Sequence, residues 1–270
     1  MTHAPRPNAW PPCPTVRPDG MARSLLRVLE RLRDMPVRDR DDAAYGGLGL
    51  RAGELCEATM LSLYEEPRRA LQRGALGRPD IAQTLTQVAF PAAATRLGEG
   101  WATDRLSFAE VTIAATRMQD TLRRLGPMQG VPDPGTPSIT MIVPDRETHT
   151  LAPSMAADRL RRLGVRVRLI AGLPDPMAAE MALAGSGDAV LISAGSRRTL
   201  MKVPALVSAL RHRARRPLRI ILGGPALIDD LALARTCGAD YVTSEAERAL
   251  AACGVAVGVE ERAAPDMAAR

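Results

Sequence analysis

"SITMIVPDRETHTLAPSMAADRLRRLG", residues 138–164, decides how the second half of the chain is read. Its first six residues form a short apolar run of strand length. "PDRET" is a polar turn, and from about 149 to 163 the apolar residues recur at helical spacing before Gly164. Strand, turn and helix then recur downstream. Apolar runs at 165–170, 188–193, 218–224 and 239–244 alternate with helical stretches near 175–184, 198–212, 226–235 and 245–253. A βα repeat of this kind builds a parallel sheet with helices on both faces. The spacing therefore predicts an α/β domain over 136–254, with five parallel strands in a Rossmann-like, flavodoxin-like order.

Working outward toward the N-terminus, "GPMQGVPDPGTP" (126–137) reads as a linker. Before it the periodicity is helical. "RLSFAEVTIAATRMQDTLRRLG" (105–126) puts Phe108, Val111, Ala115, Met118, Leu122 and Leu125 on one helical face. "RPDIAQTLTQVAFPAAATRLGEGWATD" (78–104) predicts a longer helix kinked at Pro91. Further helices are expected within 52–66 and from Met21 onward, so 21–130 is expected to be a small helical bundle. Residues 1–20 are proline-rich and expected to be a disordered tail, as is 255–270. Met21 is a candidate internal start.

Composition narrows the function classes. The apolar fraction is 46% and the aromatic fraction 3%, so the core must be aliphatic and Trp10, Trp101, Phe90 and Phe108 are scarce items. No apolar run is long enough to span a membrane, and the N-terminus lacks an apolar signal core. A cytoplasmic location without membrane contact is the expectation. Cys13, Cys56, Cys237 and Cys253 form no CxxC pair, which argues against a zinc site or a disulfide framework. The net charge is +6, and "RHRARRPLR" (211–219) is the densest basic run. Such a run grips phosphates or forms a solvated helix end. No DNA-binding motif accompanies it.

In an open parallel sheet, ligands bind beyond the carboxyl ends of the strands. The residues there are Glu147 and His149 after the first strand, and Ser193, Ala194, Gly195 and Ser196 after the third. Gly223 and Gly224 follow the fourth, Thr243 and Ser244 the fifth. GxGxxG after the first strand and GxxxxGK[ST] are both missing, so dinucleotide and P-loop readings lose support. No nucleophile sits at an elbow turn beside an obvious base. The expectation is a binding protein, not an enzyme.

At these positions the chain resembles the corrinoid-binding family, whose pattern is DxHxxG, then SxL, then GG, after a helical cap. Here the pattern reads Glu147-x-His149-x-x-Ala152, Ser193-x-Gly195 and Gly223-Gly224, with 40 and 27 residues between the blocks. It departs from the family at Glu147, Ala152 and Gly195. "LGEGWATDRLSFAEVTIAATRMQDTLRRL" (97–125) is similar to the segment that lays a Trp and a helix over the upper corrin face. The resemblance covers about 50–254. It implies cobalamin, adenosyl- or hydroxocobalamin, with His149 as the lower axial ligand to cobalt. Glu147 would hold the other ring nitrogen. Ser193, Gly223, Gly224, Thr243 and Ser244 would take the displaced nucleotide tail, and Trp101 the upper face. Thr150, Leu151, Gly195 and Thr199 join the implied cofactor-binding set.

With "W…SFAEVTIA", the variant is more similar to AerR/PpaA-type antirepressors of photosynthetic proteobacteria than to methyltransferase corrinoid proteins. That implies a light-responsive regulator acting through a DNA-binding transcriptional repressor of photopigment genes, with DNA contact only within such a complex. A corrinoid carrier of a methyltransferase system and a haem-binding SCHIC-type sensor are the alternatives. Val111 and Thr112 stand where CarH-type light sensors carry Glu-His, so that switch chemistry is not implied.

Overall fold

The computed structural model describes residue 73 and residues 75–126, 135–185, 187–252 and 254. The tails, Met21 and the helices expected before residue 73 lie outside the described residues, as does most of the linker. The described residues fall into two compact units. One is the helical segment through residue 126 together with Thr150–Arg159; the other comprises 135–149 and 160–254.

In the helical unit, α1 (Pro79–Thr84) runs through a π-turn (Leu85–Ala89) into α2 (Phe90–Ala102). The π-turn is how the chain accommodates Pro91. A proline has no N–H and its ring crowds the carbonyl four residues back, so widening the preceding turn relieves the conflict. The Phe90 amide accordingly donates to the carbonyl of Leu85, five residues back. Helix α3 (Phe108–Leu125) starts at a capping box. Ser107 Oγ accepts from the Glu110 amide at 3.3 Å, and the Ser107 amide donates to Glu110 Oε2 at 2.7 Å. Met118, Leu122 and Leu125 are buried as the pattern predicts. Phe108 is not; it is 71% exposed, and the buried stripe starts at Ala114. Phe108 is the first residue of the helix, and Val111 and Ala115 behind it are half-buried.

The second unit holds a five-stranded, all-parallel sheet in the order β2-β1-β3-β4-β5. The strands are β1 (Ser138–Val143), β2 (Arg166–Ala171), β3 (Ala189–Ser193), β4 (Arg219–Gly223) and β5 (Tyr241–Val242). The central strands are apolar on both faces, as a doubly covered sheet requires. Edge strand β2 is less covered, with Val167 and Ile170 buried but Arg168 and Ala171 exposed. Between the strands lie α4 (Leu151–Arg162), α5 (Asp175–Leu183), α6 (Arg197–Leu200), α7 (Val203–Arg213), α8 (Ala226–Asp229) and α9 (Leu231–Arg235), with α10 (Ala246–Ala252) after β5. The first ten described residues of the α4 region, 150–159, cluster with the helical unit.

Two predicted helices are each divided. The 198–212 stretch breaks before α7 because Pro204 starts a helix but cannot continue one from α6. The 226–235 stretch breaks at Asp230, which has an extended φ of −148° and caps α9 by accepting from the Leu233 amide. Ile142, Ile170, Val190, Ile192, Ile220 and Leu222 form one core with Ala178, Ala179, Leu206 and Leu210 of α5 and α7. Met141, Leu191 and Ile221 alternate with them and point to the other face. Among the described residues, no helix is long and apolar enough to cross a membrane.

Candidate functional site

In this strand order the chain direction across the sheet reverses between β1 and β3, and that is where an open α/β sheet leaves a crevice. Two loops meet there. The first, after β1, turns at Arg146, which takes a left-handed φ of 62°, and the Glu147 amide donates back to the Pro144 carbonyl. The second runs from Ser193 into α6, capped when Ser196 Oγ accepts from the Thr199 amide.

Glu147 joins the two loops. Its Oε1 accepts from the His149 amide at 2.8 Å and lies 2.6 Å from His149 Nδ1. Its Oε2 accepts from the Gly195 amide at 2.9 Å and the Thr199 hydroxyl at 2.5 Å. The Glu147 side chain is only 2% exposed. Burial alone would raise its pKa. The bonds from the Thr199 hydroxyl, the His149 amide and ring, and the Gly195 amide outweigh it and hold the carboxyl below its ordinary range. An ionised Glu147 only accepts, so Nδ1 of His149 carries the proton facing it. Nε2 is the ring nitrogen on the side away from the carboxylate, on a side chain that is 52% exposed.

Glycines set the geometry here. A Cβ on Gly195 would lie 2.5 Å from His149 Cβ and 2.9 Å from Glu147 Cδ, so the imidazole arm rests directly on the Gly195 backbone. Gly224 has φ +111°, and a Cβ there would meet the Ala194 carbonyl oxygen at 2.3 Å. That carbonyl accepts from the Ala226 amide at 3.1 Å, and the Ala194 amide donates to Gly223 at 2.9 Å. The Ser193–Ser196 segment is thus held between the His149 loop on one side and the Gly223–Gly224 turn on the other.

The residues singled out in the sequence are therefore placed as follows. Glu147, His149, Gly195 and Thr199 form one hydrogen-bonded cluster. Ser193, buried, pairs in register with Gly223. A Cβ on Gly223 would stand 3.0 Å from the Thr243 carbonyl, while Thr243 Oγ1 accepts from the Glu245 amide and Ser244 is exposed. Trp101, Thr150 and Leu151 belong to the helical unit. Trp101 is 50% exposed at the end of α2, and Thr150 Oγ1 accepts from Gln119 Nε2 at 2.9 Å. Thr199, expected to touch a cofactor, is buried with its hydroxyl donated to Glu147. Ser196, at the end of the third strand as expected, has its hydroxyl 3.0 Å from Thr199 Oγ1 and steadies it. Serine at a helix N-cap is the sequence signal for that role.

No family model matches the chain. The solved corrinoid protein for monomethylamine from Methanosarcina barkeri has 16% identity, covers 76% of this chain and 95% of its own, and superposes with a TM-score of 0.57. That likeness extends to the fold. A cobalamin-binding protein from Desulfitobacterium hafniense shares 19% identity over 74% of this chain and 97% of its own, at a TM-score of 0.39. A curated protein of Rhodobacter capsulatus, an uncharacterized 20.5 kDa protein in the bchF-crtJ intergenic region, is 36% identical over 162 residues, 57% of this chain and 82% of the relative. By that identity and coverage, the chain belongs to the same family as the 20.5 kDa protein of the Rhodobacter capsulatus bchF-crtJ region.

Proposed function

We propose that the chain binds a corrinoid, whose cobalt His149 Nε2 would hold, and serves as a regulator rather than an enzyme. One observation carries this reading. His149 is anchored through Nδ1 on a buried, fully hydrogen-bonded carboxylate, which leaves a single exposed nitrogen at the crevice of the sheet. A carboxylate behind a ligating imidazole fixes its orientation and raises its basicity. Among the described residues no three His, Cys, Asp or Glu side chains cluster to hold a bare metal ion. One imidazole suits a metal that arrives with its own macrocyclic ligands. Ser193, Gly223, Gly224 and Thr243, grouped at the ends of β3, β4 and β5, would take the nucleotide tail. When bound, cobalamin supplies light-sensitive chemistry at cobalt, and the chain holds and orients it.

The regulatory part rests on the relative encoded in the bchF-crtJ region, a photosynthesis gene cluster, and on the antirepressor-like motif pattern. The partner in this reading is a DNA-binding repressor. A corrinoid carrier is the second reading, favoured by the structural likeness to the monomethylamine corrinoid protein. The test is to incubate full-length protein in the dark with adenosylcobalamin, hydroxocobalamin or haem, desalt, and record absorption spectra beside His149→Ala. Retention of cobalamin with a His149-dependent spectrum is expected. Failure to retain any cobalamin through desalting refutes the reading, and a retained Soret band from haem alone replaces it. Methyl transfer from loaded protein to a corrinoid methyltransferase would favour the carrier.

A further inference from the structure

At the opposite edge of the sheet, where the strands begin, lies a recess of about 500 Å³. It is formed by the end of α5, the turn into β3, the end of α7 and the turn into β4. Arg213, Arg215 and Arg216 line it, with Glu180 as its one acidic side chain. Arg168, from edge strand β2, reaches the same place by donating to the Met181 carbonyl at 3.0 Å. All four arginines are exposed.

The bland account of such arginines is that they cap helix ends. It is partly right. Arg216 donates to the Gly187 carbonyl at 2.7 Å, and Arg213 leans on the Ala209 carbonyl at 3.4 Å. Carbonyls satisfy N–H groups but cancel no formal charge. The two helix C-termini contribute about half a negative charge each. With the Glu180 carboxylate and the exposed Asp188 of the turn into β3 set against four guanidiniums, the edge keeps an excess of roughly one positive charge. Arg211 differs, since it forms an ion pair with Asp240.

We infer that this recess is a second binding site, for the phosphodiester backbone of nucleic acid. Guanidinium forks engage phosphate oxygens two at a time, and a row of exposed forks along an edge suits successive phosphates. A membrane-surface site would add an apolar wedge. Of the lining apolar residues here, Ala182 and Leu218 are buried, Leu183 is half-buried and only Ala184, a single methyl, is exposed, which is no wedge. The recess and His149 lie at opposite ends of the parallel strands, so cofactor and polyanion need not compete.

The test uses full-length protein, a mixed-sequence DNA duplex of about 30 base pairs, and fluorescence anisotropy from low to moderate salt. Affinity should fall with salt at a log–log slope of about −0.9 per phosphate engaged. Arg213→Gln with Arg215→Gln should weaken binding about tenfold or more at low salt and flatten the slope by about 2. Glu180→Gln should tighten it, a gain that misfolding cannot imitate. Arg123→Gln with Arg124→Gln, both exposed on α3, is the charge-matched control and should have a much smaller effect. The inference is overturned if the duplex does not bind at low salt, if the control weakens binding as much as the recess pair, if Glu180→Gln leaves affinity unchanged, or if only anionic phosphatidylserine vesicles bind.

Discussion

Replacing Gly195 with alanine puts a methyl carbon 2.5 Å from His149 Cβ and 2.9 Å from both His149 Cγ and Glu147 Cδ. Non-bonded carbons settle at about 3.5–4.0 Å, so one of the two loops must retreat by about 1 Å. His149 Cβ is fixed to the backbone and cannot swing aside like the tip of a long side chain. The retreat lengthens either the Gly195 amide bond to Glu147 Oε2 (2.9 Å) or the Nδ1 contact at 2.6 Å. A hydrogen bond to a buried carboxylate contributes about 1.5–3 kcal/mol. Gly195 has no left-handed φ, so nothing in its backbone disfavours alanine. Without the clash, Gly→Ala would stabilise by about 0.4–1 kcal/mol through the unfolded chain. The sign of the effect therefore decides. We expect a loss of about 1–2 kcal/mol in denaturant unfolding of the cofactor-free protein. The His149 Nδ1–H signal should also weaken or shift in nitrogen-15 NMR, and cobalamin affinity should drop roughly 10- to 100-fold. A neutral or stabilised Gly195→Ala variant with an unchanged His149 signal would refute the steric argument, whatever the cofactor proves to be.

Glu147→Gln should cost at least about 2 kcal/mol, because the amide nitrogen cannot accept the bonds that one carboxylate oxygen now accepts. Glu147 is held below its ordinary value of 4.5 in the folded state, so its contribution is present above that value and lost as pH falls through the depressed one. The stability gap between wild type and Glu147→Gln should accordingly shrink below pH 4.5 in urea titrations. Gly224→Ala combines a φ of +111° with a 2.3 Å approach to the Ala194 oxygen. It should destabilise by more than about 2 kcal/mol, read as a lower urea midpoint. Ser107→Ala removes the α3 cap and should cost about 1 kcal/mol by circular dichroism, with helix content reduced near the α3 start.

Sheet membership was legible because its cause is local. Five short apolar runs separated by helical periodicity leave few arrangements, and strand β1 was readable to the residue at 138–143. Helix breaks were less legible. Pro204 and Asp230 act through one missing donor and one side-chain cap, which hydrophobic periodicity does not register. The predicted face of α3 holds at Met118, Leu122 and Leu125 and departs at its start, where Phe108 is exposed.

The candidate site divides the same way. His149, Glu147 and the Gly223–Gly224 turn could be named from chain order alone, because strand ends in a parallel sheet converge on one edge. Their roles came from the tertiary structure. Glu147 appeared in the sequence as an over-long aspartate; folded, its extra reach lets one carboxylate join His149 to Gly195 and Thr199, 48 and 52 residues away. Gly195 appeared as a lost leucine and proved to be the surface on which the imidazole arm rests. Residue order determines which side chains arrive at the edge. Which of them touch, and which nitrogen of His149 is left to bind, depends on contacts across sequence gaps that only the folded sheet brings together.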